Sequence, residues 1–330
     1  MRVGGVYDGG VKERVRITDV SPRDGLQNEP GIIPTADKVR LIELLCATGV
    51  DEIEVTSFVS PKWVPQLGDA AEVVRELSSS SVCLSALVPN DRGLQGALDA
   101  NRSAQHEIIS KVSVFTAASE AFSAKNTNAS IAETIERFKP VVAGAHAAGM
   151  LVRAYVSCVI ACPFEGAIAP AKVVKVCQSL LDLGIHELDL GDTIGAGTPE
   201  TIATLLRVLD REIPIHAGRI PITLHLHDTF GRAADCVKAA LDMGVRSFDG
   251  SVAGLGGCPY ASKKLPDGTI QRAPGNISTE LLVRTIHEAG YETGVDLNKL
   301  GVAADFARGI VAKSRTAAID PPESGGGARP

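Results

Sequence analysis

Two histidines in one apolar segment are the residues of this sequence best suited to chemistry. The segment 220–228 is short, β-branched and apolar, which indicates a buried strand. Side chains two positions apart on a strand point to the same face, so His225 and His227 lie side by side. Burying two imidazoles is costly unless something binds them, and neutral imidazole is the commonest metal ligand. From this pair alone, a metal site and two hydrogen-bonded core histidines are equally good interpretations.

An arginine-aspartate pair, Arg23-Asp24, follows the first predicted strand. Together with the two histidines, Asp24 would give three mixed oxygen and nitrogen ligands. No thiolate pair is available for a closed zinc site, so Mg²⁺ or Mn²⁺ fits best, and Fe(II) stays open. Taken alone, Asp24 before Gly25 is better interpreted as a turn residue. Arg23 is a candidate fixed cation for a developing oxyanion or enolate, and also a candidate ion-pair partner of Glu54 or Asp192. The two roles are compatible, because an ion pair holds the guanidinium in place.

A glycine-rich segment, 254–257, leads into Cys258. A flexible loop that carries one thiol predicts a lid bringing a proton donor or acceptor over a substrate. The alternative is a cysteine that serves as a small buried hydrophobic residue. The segment matches neither a P-loop nor a G-x-G-x-x-G that follows a strand, so phosphate binding by this loop is a weak rival.

The elements that must position these residues alternate along the whole chain. Strands are predicted at 14–20, 52–57, 82–88, 106–115, 151–157, 186–191, 221–228 and 246–252. Helices are predicted at 35–48, 66–77, 91–101, 128–148, 170–183, 198–210, 232–243 and 278–289, with an extra C-terminal helical pair near 296–313. This order predicts an α/β fold, a (β/α)8 TIM barrel with extra C-terminal helices. A doubly wound open sheet is the structural alternative.

Polar residues collect where the predicted strands end, and active sites of such barrels lie at that rim. Because several polar residues share this rim, we predict that they form one site. The residues concerned include Arg23, Asp24, Glu54, Ser57, Tyr155, Asp192, Thr193, His225 and His227.

Composition excludes several classes of protein. With 45% hydrophobic and 22% charged residues in a chain of 330, a sizeable folded core is expected. A single catalytic domain is predicted over 1–313, with a disordered tail at 314–330. The net charge of −6 argues against a nucleic-acid partner. No apolar stretch approaches the roughly 18 residues of a membrane span.

Seven irregularly spaced cysteines without a C-x-x-C pair indicate a reducing compartment. No run near the N-terminus resembles a signal peptide, so a cytoplasmic location is expected.

Five long motifs together resemble the 3-hydroxy-3-methylglutaryl-CoA lyases, a branch of the metal-dependent TIM-barrel lyases that share an arginine-aspartate motif on the first strand. The resemblance runs from about residue 15 to about residue 308. The Arg-Asp and His-x-His elements alone indicate the wider group, which also holds acyl-CoA-condensing synthases and pyruvate-forming aldolases. The Gly-Gly-Cys-Pro-Tyr and Ser-Phe-Val-Ser-Pro-Lys-Trp motifs narrow it to the lyases. The motifs lie at 21–29, 54–66, 190–195, 225–231 and 251–261.

The resemblance implies cleavage of a 3-hydroxy-3-methylglutaryl thioester to acetyl-CoA and acetoacetate. It implies that Asp24, His225, His227 and Asn276 bind the divalent cation. Arg23 would stabilise the enolate, and Cys258 would assist proton transfer, with His225 or Asp24 as the base. A homodimer is also implied, while leucine, ketone-body and terpenoid catabolism stay open as pathways. The residues expected to hold the substrate are Gln27, Glu54, Ser57, Tyr155, Asp192 and Thr193.

Two features depart from the family pattern. The segment 262–275 is longer than the family's link between Ala261 and Asn276, and Pro30 stands where a basic residue is expected. The long segment carries Lys263, Lys264 and Arg272, which would either meet the phosphates of CoA or lie on a surface hairpin. Two alternatives therefore remain: the same chemistry on another 3-hydroxy-3-substituted acyl-CoA, such as an isohexenyl analogue, or a catalytically silent acyl-CoA-binding barrel.

Overall fold

The structure, a computed structural model, describes residues 12–104, 106–213, 220–257, 263–264, 270–271 and 273–319. Its strands, in chain order, are β1 (Arg16–Asp19), β2 (Glu52–Ser57), β3 (Cys83–Leu87), β4 (Lys111–Ala117), β5 (Leu151–Ser157), β6 (Ala161–Cys162), β7 (Gly166–Ala167), β8 (Glu187–Asp192), β9 (Ile222–Leu226), β10 (Ser247–Gly250), β11 (Lys263–Lys264) and β12 (Ile270–Gln271).

Eight of these strands close into a barrel in the order β1-β10-β9-β8-β5-β4-β3-β2. Every neighbouring pair in the barrel is parallel, and β1 completes the circle by pairing with both β10 and β2. The predicted (β/α)8 TIM barrel is confirmed. The open doubly wound sheet is wrong, because an open sheet would leave two edge strands unpaired.

The helices that surround the barrel are α1 (Thr35–Cys46), α2 (Ala70–Glu76), α3 (Asp91–Ser103), α4 (Glu120–Thr127), α5 (Ile131–Ala147), α6 (Pro170–Leu181), α7 (Pro199–Glu212), α8 (Ala233–Asp242), α9 (Thr279–Glu288) and α10 (Leu297–Ile319). Side-chain caps set several of their starts: Asn90 accepts from the Gly93 amide at 3.0 Å, and Ser130 and Thr198 form capping boxes. Among the helices that the structure describes, none is long and apolar enough to cross a membrane.

Two regions of the chain depart from the prediction. The fourth strand begins at Lys111 and not at residue 106. The side chain of Asn101 forms hydrogen bonds with the backbone of Ile108 and Ile109, so these backbone groups are not available for pairing with a neighbouring strand. The region before α5 contains the additional helix α4, which Ser119 caps by accepting from the Phe122 amide at 3.1 Å.

The C-terminal end is one continuous helix and not the predicted pair. Helix α10 also continues past the predicted end of the domain at residue 313. Ser314 is buried, and its hydroxyl donates to the carbonyl of Gly31 at 2.6 Å. Arg315 donates twice to Glu29 at 2.8 Å, so residues 314 and 315 are fastened to the β1–α1 loop and are not a disordered tail. The rest of the predicted tail, from residue 320, lies outside the described residues.

The barrel interior is polar, whereas the layer between strands and helices is apolar. In β5, Val152, Ala154 and Val156 are fully buried in the apolar core, and the alternate residues Arg153 and Tyr155 point into the barrel. The predicted strands look like continuous apolar runs, but the buried inner face carries charged and hydroxyl side chains. Their mutual ion pairs make this burial tolerable.

Candidate active site

The loop after β1 brings Arg23 and Asp24 over the barrel. Ser21–Gly25 forms a wide helical turn in which the amides of Asp24 and Gly25 both donate to the carbonyl of Val20, at 2.8 and 3.2 Å. A Cβ at Gly25 would lie 2.9 Å from Ser251 Oγ and 3.0 Å from Leu255 Cβ, so a glycine is needed for this close approach.

Asp19 anchors that turn, and the sequence analysis did not predict it as a site residue. Its carboxylate accepts from the amide of Ser21 at 2.9 Å and from Thr279 Oγ1 at 2.6 Å, which ties β1 to the start of α9. Burial raises the pKa of Asp19 to about 6, against the opposing hydrogen bonds from Ser21 and Thr279. An acidic residue inside an apolar strand was the available signal.

The predicted metal ligands Asp24, His225 and His227 meet at the carboxyl end of the barrel. Nε2 of His225 lies 3.3 Å from Nε2 of His227 and 4.0 Å from Oδ2 of Asp24. One ligand atom from each of the three buried residues lies within 4.8 Å of the others. Ligands about 2.1 Å from a cation are about 3 Å apart in adjacent positions and about 4.2 Å apart in opposite ones. The separations of 3.3 and 4.0 Å fall within this range, so the group can hold one divalent cation.

The protonation states also suit a cation. Burial and the neighbouring His225 lower the pKa of His227 to about 4, so its imidazole is neutral near pH 7. Burial raises the pKa of Asp24, but Arg23 and the two histidines outweigh burial and hold it below its ordinary value. A carboxylate and neutral imidazoles are the forms that bind metal.

Asn276, the fourth predicted ligand, lies beside Asp24. Its Nδ2 donates to Asp24 Oδ2 at 2.8 Å and to the carbonyl of Leu255 at 2.9 Å. Gly256 has φ +99°, and a Cβ there would lie 2.6 Å from Asn276 Nδ2. The glycine-rich loop thus packs directly against the ligand group.

Arg23 is held between two carboxylates. Its Nε donates to Glu54, and its Nη1 donates to Asp24 Oδ1 at 2.7 Å. The guanidinium carbon lies 5.3 Å from the centre of the Tyr155 ring. Burial lowers the pKa of Arg23, yet Glu54 and Asp24 outweigh it and raise the pKa above its ordinary value. The predicted ion pair with Glu54 is confirmed, and the arginine is a permanent cation with a fixed orientation.

The remaining predicted residues line the same rim at different depths. Gln27 donates to Asp24 Oδ1 at 2.9 Å, and the Tyr155 ring meets the His225 ring edge-on at 6.0 Å. Ser57 is buried, and its hydroxyl accepts from the amide of Val59 at 3.3 Å. These contacts connect Gln27 and Tyr155 to the ligand group and place Ser57 at the end of β2.

Asp192 and Thr193 shape the neighbouring loop. Asp192 accepts from the amides of Ala196 and Gly197, at 3.0 and 2.7 Å, so the alternative ion pair with Arg23 is wrong. Burial raises the pKa of Asp192 to about 6. Thr193 Oγ1 accepts from the amide of Cys158 at 2.8 Å.

Cys258 and half of the segment 262–275 lie outside the described residues. Up to Gly257 the glycine-rich loop is described, and the Gly257 carbonyl accepts from Asn28 Nδ2 at 3.3 Å. The pieces β11 and β12 pair in antiparallel fashion, with Lys263 opposite Gln271.

A closed parallel barrel with a carboxylate, two imidazoles and a fixed arginine at its carboxyl rim defines a TIM-barrel protein with a candidate divalent-cation site. Comparison with known proteins specifies the family. The HMGL-like family model matches residues 14–306. The hydroxymethylglutaryl-CoA lyase of Pseudomonas mevalonii is 46% identical over 307 residues, which cover 92% of this chain and 95% of that protein.

Two solved structures agree. The HMG-CoA lyase from Brucella melitensis has a TM-score of 0.82 at 44% identity, covering 91% of this chain and 99% of that one. An HMG-CoA lyase from Acinetobacter baumannii, in complex with coenzyme A and 3-methylmalate, has a TM-score of 0.79 at 31% identity, covering 96% and 98%. The chain therefore belongs to the HMGL-like family, among the relatives of the hydroxymethylglutaryl-CoA lyases.

Proposed function

We propose that this chain is a metal-dependent carbon–carbon lyase that cleaves 3-hydroxy-3-methylglutaryl-CoA to acetyl-CoA and acetoacetate. The observation that carries the proposal is the position of Arg23, which is bonded to Glu54 and Asp24 directly beside the Asp24-His225-His227 group. The family relationship over most of the chain supports the same reaction.

Asp24, His225, His227 and Asn276 would hold a divalent cation, and Mg²⁺ or Mn²⁺ is the ion that we propose. The carboxylate and amide oxygens suit these ions, whereas the two-histidine, one-carboxylate set is one that Fe(II) shares. When bound, the cation supplies Lewis-acid polarisation of the substrate oxygens.

The reaction needs a base, because the tertiary hydroxyl of the substrate must lose its proton. Asp24 and His225 present acceptor atoms at the site and are the candidates for this step. The C2–C3 bond then breaks: its electron pair goes to C2 of the departing thioester, and C3 becomes the ketone carbon of acetoacetate. No electrons are gained or lost overall.

Arg23 stabilises the charge that develops on the thioester enolate. Glu54 keeps the guanidinium oriented in advance, and the buried setting strengthens the attraction because little water screens it. The enolate carbon finally takes a proton from Cys258 or His225 and becomes the methyl group of acetyl-CoA. Gln27, Ser57, Tyr155, Asp192 and Thr193 shape the pocket around the acyl group.

The first test measures acetyl-CoA release from 3-hydroxy-3-methylglutaryl-CoA with Mg²⁺ or Mn²⁺, after EDTA, and after the metal is added back. We expect release that EDTA abolishes and added metal restores. Release that persists without metal would contradict the metal-dependent reaction, and absence of release from folded, metal-loaded protein would contradict this substrate.

The second candidate is the same cleavage of an acyl-CoA with a longer 3-substituent. The long segment 262–275 favours it, since this segment connects the glycine-rich loop to Asn276. Parallel assays with 3-hydroxy-3-isohexenylglutaryl-CoA decide between the two by comparing kcat/KM. If neither substrate is cleaved while CoA esters still bind, the silent-barrel interpretation gains support.

The wider setting of the reaction follows from family resemblance. We infer a homodimer that works in the cytoplasm and a reaction that serves leucine, ketone-body or terpenoid catabolism. Sedimentation velocity of the full chain tests the assembly, since a monomer of 34.4 kDa would contradict it.

A further inference from the structure

A buried carboxylate stands behind His225. The register between β9 and β10 places Asp249 opposite His225, and Oδ2 of Asp249 lies 3.2 Å from Nδ1 of the imidazole. The other ring nitrogen, Nε2, faces His227 and Asp24. One edge of the ring thus contacts the barrel wall, and the opposite edge is turned to the candidate cation site.

Asp249 is held as a carboxylate by the arginine beside it. Arg153 Nη1 lies 3.0 and 3.3 Å from its two oxygens, and a permanent cation at this distance favours the ionised form. An ionised carboxylate only accepts hydrogen bonds. The hydrogen in the 3.2 Å contact with His225 therefore lies on Nδ1.

The same cluster is not a second cation site. Asp189, His225 and Asp249 place ligand atoms within 4.8 Å of one another. However, Arg153 Nη1 lies 3.2 Å from Asp189 and 3.0 Å from Asp249, and its guanidinium supplies the positive charge that this group needs. A metal ion there would be repelled by the arginine at close range.

We propose that Asp249 is a positioning residue for the cation site: by accepting the Nδ1 proton of His225, it keeps Nε2 free of hydrogen and aimed at the cation. With both ring nitrogens occupied in this way, His225 has no free acceptor atom, and of the two candidate bases this assignment selects Asp24. The inference rests on the proposed function, since it assumes the cation site at Asp24, His225 and His227. A carboxylate behind a metal-binding histidine fixes both the tautomer and the orientation of the ring.

The first experiment observes the tautomer in the wild-type protein. Long-range ¹H–¹⁵N spectra of ¹⁵N-histidine-labelled protein at pH 8, metal-free and with Mg²⁺, report which ring nitrogen carries hydrogen, and His225→Gln assigns the signal. We expect the Nδ1–H form in both samples. An Nε2–H form in the metal-free wild type would overturn the proposal, and this arm needs no variant of Asp249 to fold.

The second experiment measures Mn²⁺ affinity of the folded Asp249→Asn variant by calorimetry. An asparagine has one acceptor oxygen, which Arg153 attracts, so its amide nitrogen turns to His225 and favours the wrong tautomer. We expect Mn²⁺ binding about 10- to 100-fold weaker than in the wild type, together with the Nε2–H signal. Unchanged affinity with unchanged tautomer would overturn the proposal.

Glu187→Gln is the matched control. Glu187 is also buried and also binds Arg153, with Oε1 2.6 Å from Nη2, but its partners are Lys111 and Thr223 and not His225. We expect this variant to keep the wild-type Mn²⁺ affinity, and an equal loss in both variants would assign Asp249 a merely structural role. If the wild type itself binds no Mn²⁺, the proposed metal-dependent function fails, and the tautomer spectra still decide the role of Asp249.

Discussion

At the scale of residues, the site depends on charges that are fixed before any substrate arrives. Arg23 cannot lose its proton, and it is gripped at two atoms by Glu54 and Asp24. A planar guanidinium with several donors suits this arrangement, whereas an ammonium group is a point charge on a flexible chain. The orientation of the cation, and not only its charge, is what we expect to matter for the enolate.

Arg23→Lys tests this orientation. We expect kcat/KM for acyl-CoA cleavage to fall by about 100- to 1,000-fold, because one preorganised contact to the developing charge is lost. The affinity for Mn²⁺, measured separately by calorimetry, should stay close to that of the wild type. Arg308→Lys, at an exposed ion pair on α10, is the control and should leave kcat/KM unchanged. A fully active Arg23→Lys variant would contradict the enolate role.

At the scale of elements, helix α10 supports the loop that carries the site. Arg315 is half exposed, but its partner Glu29 has a side chain only 4% exposed. Ser314 adds the bond to Gly31, and Gln66 holds the same loop by donating to the Gly31 carbonyl at 2.8 Å. The loop between β1 and α1 is therefore clamped from two sides, a few residues after Arg23 and Asp24.

Arg315→Ala removes one side of the clamp. We expect the free energy of unfolding to fall by about 1–2 kcal/mol, the range for a charge-assisted pair with one buried member, measured by urea denaturation. Arg40→Ala, which breaks the exposed pair with Glu43, should change it by less than about 0.5 kcal/mol. Equal losses in the free energy of unfolding would show that the contact with Glu29 stabilises the protein no more than an exposed ion pair does.

At the scale of the whole molecule, the barrel is filled by a network of charges. Lys111 binds Glu52 at 2.7 Å and also binds Glu187, while Arg153 reaches Glu187, Asp189 and Asp249. Burial raises the pKa of Glu187, but Arg153 and Lys111 outweigh burial and lower the pKa to about 2. A carboxylate with a lowered folded-state pKa stabilises the fold above its unfolded pKa, and the stabilisation is lost as the pH falls through the folded value.

The lowered pKa of Glu187 predicts how the stability of the Glu187→Gln variant depends on pH. The wild type should be the more stable protein above pH about 4.5, and the difference in free energy of unfolding should shrink as the pH falls toward about 2. Urea denaturation of both proteins at pH 6 and pH 3 measures it. A difference that stays constant between the two pH values would show that the ionisation of Glu187 does not stabilise the barrel.

The sequence alone determined the order of the eight barrel strands, the face shared by His225 and His227, and the rim on which Arg23 and Asp24 meet them. These features depend on local rules: side chains alternate along a strand, and parallel strands that alternate with helices end at the same side of the sheet. Such rules can be applied to each segment separately.

Only the tertiary structure decided that the sheet closes, that α10 is one helix seated on the β1–α1 loop, and that Asp249 stands behind His225. Each of these depends on which distant segments become neighbours. Asp249 meets His225 because the register of β9 against β10 pairs them, and a shift of one residue would turn the carboxylate to the opposite face. The register is set by the packing of the whole barrel, so no local pattern in the chain contains it.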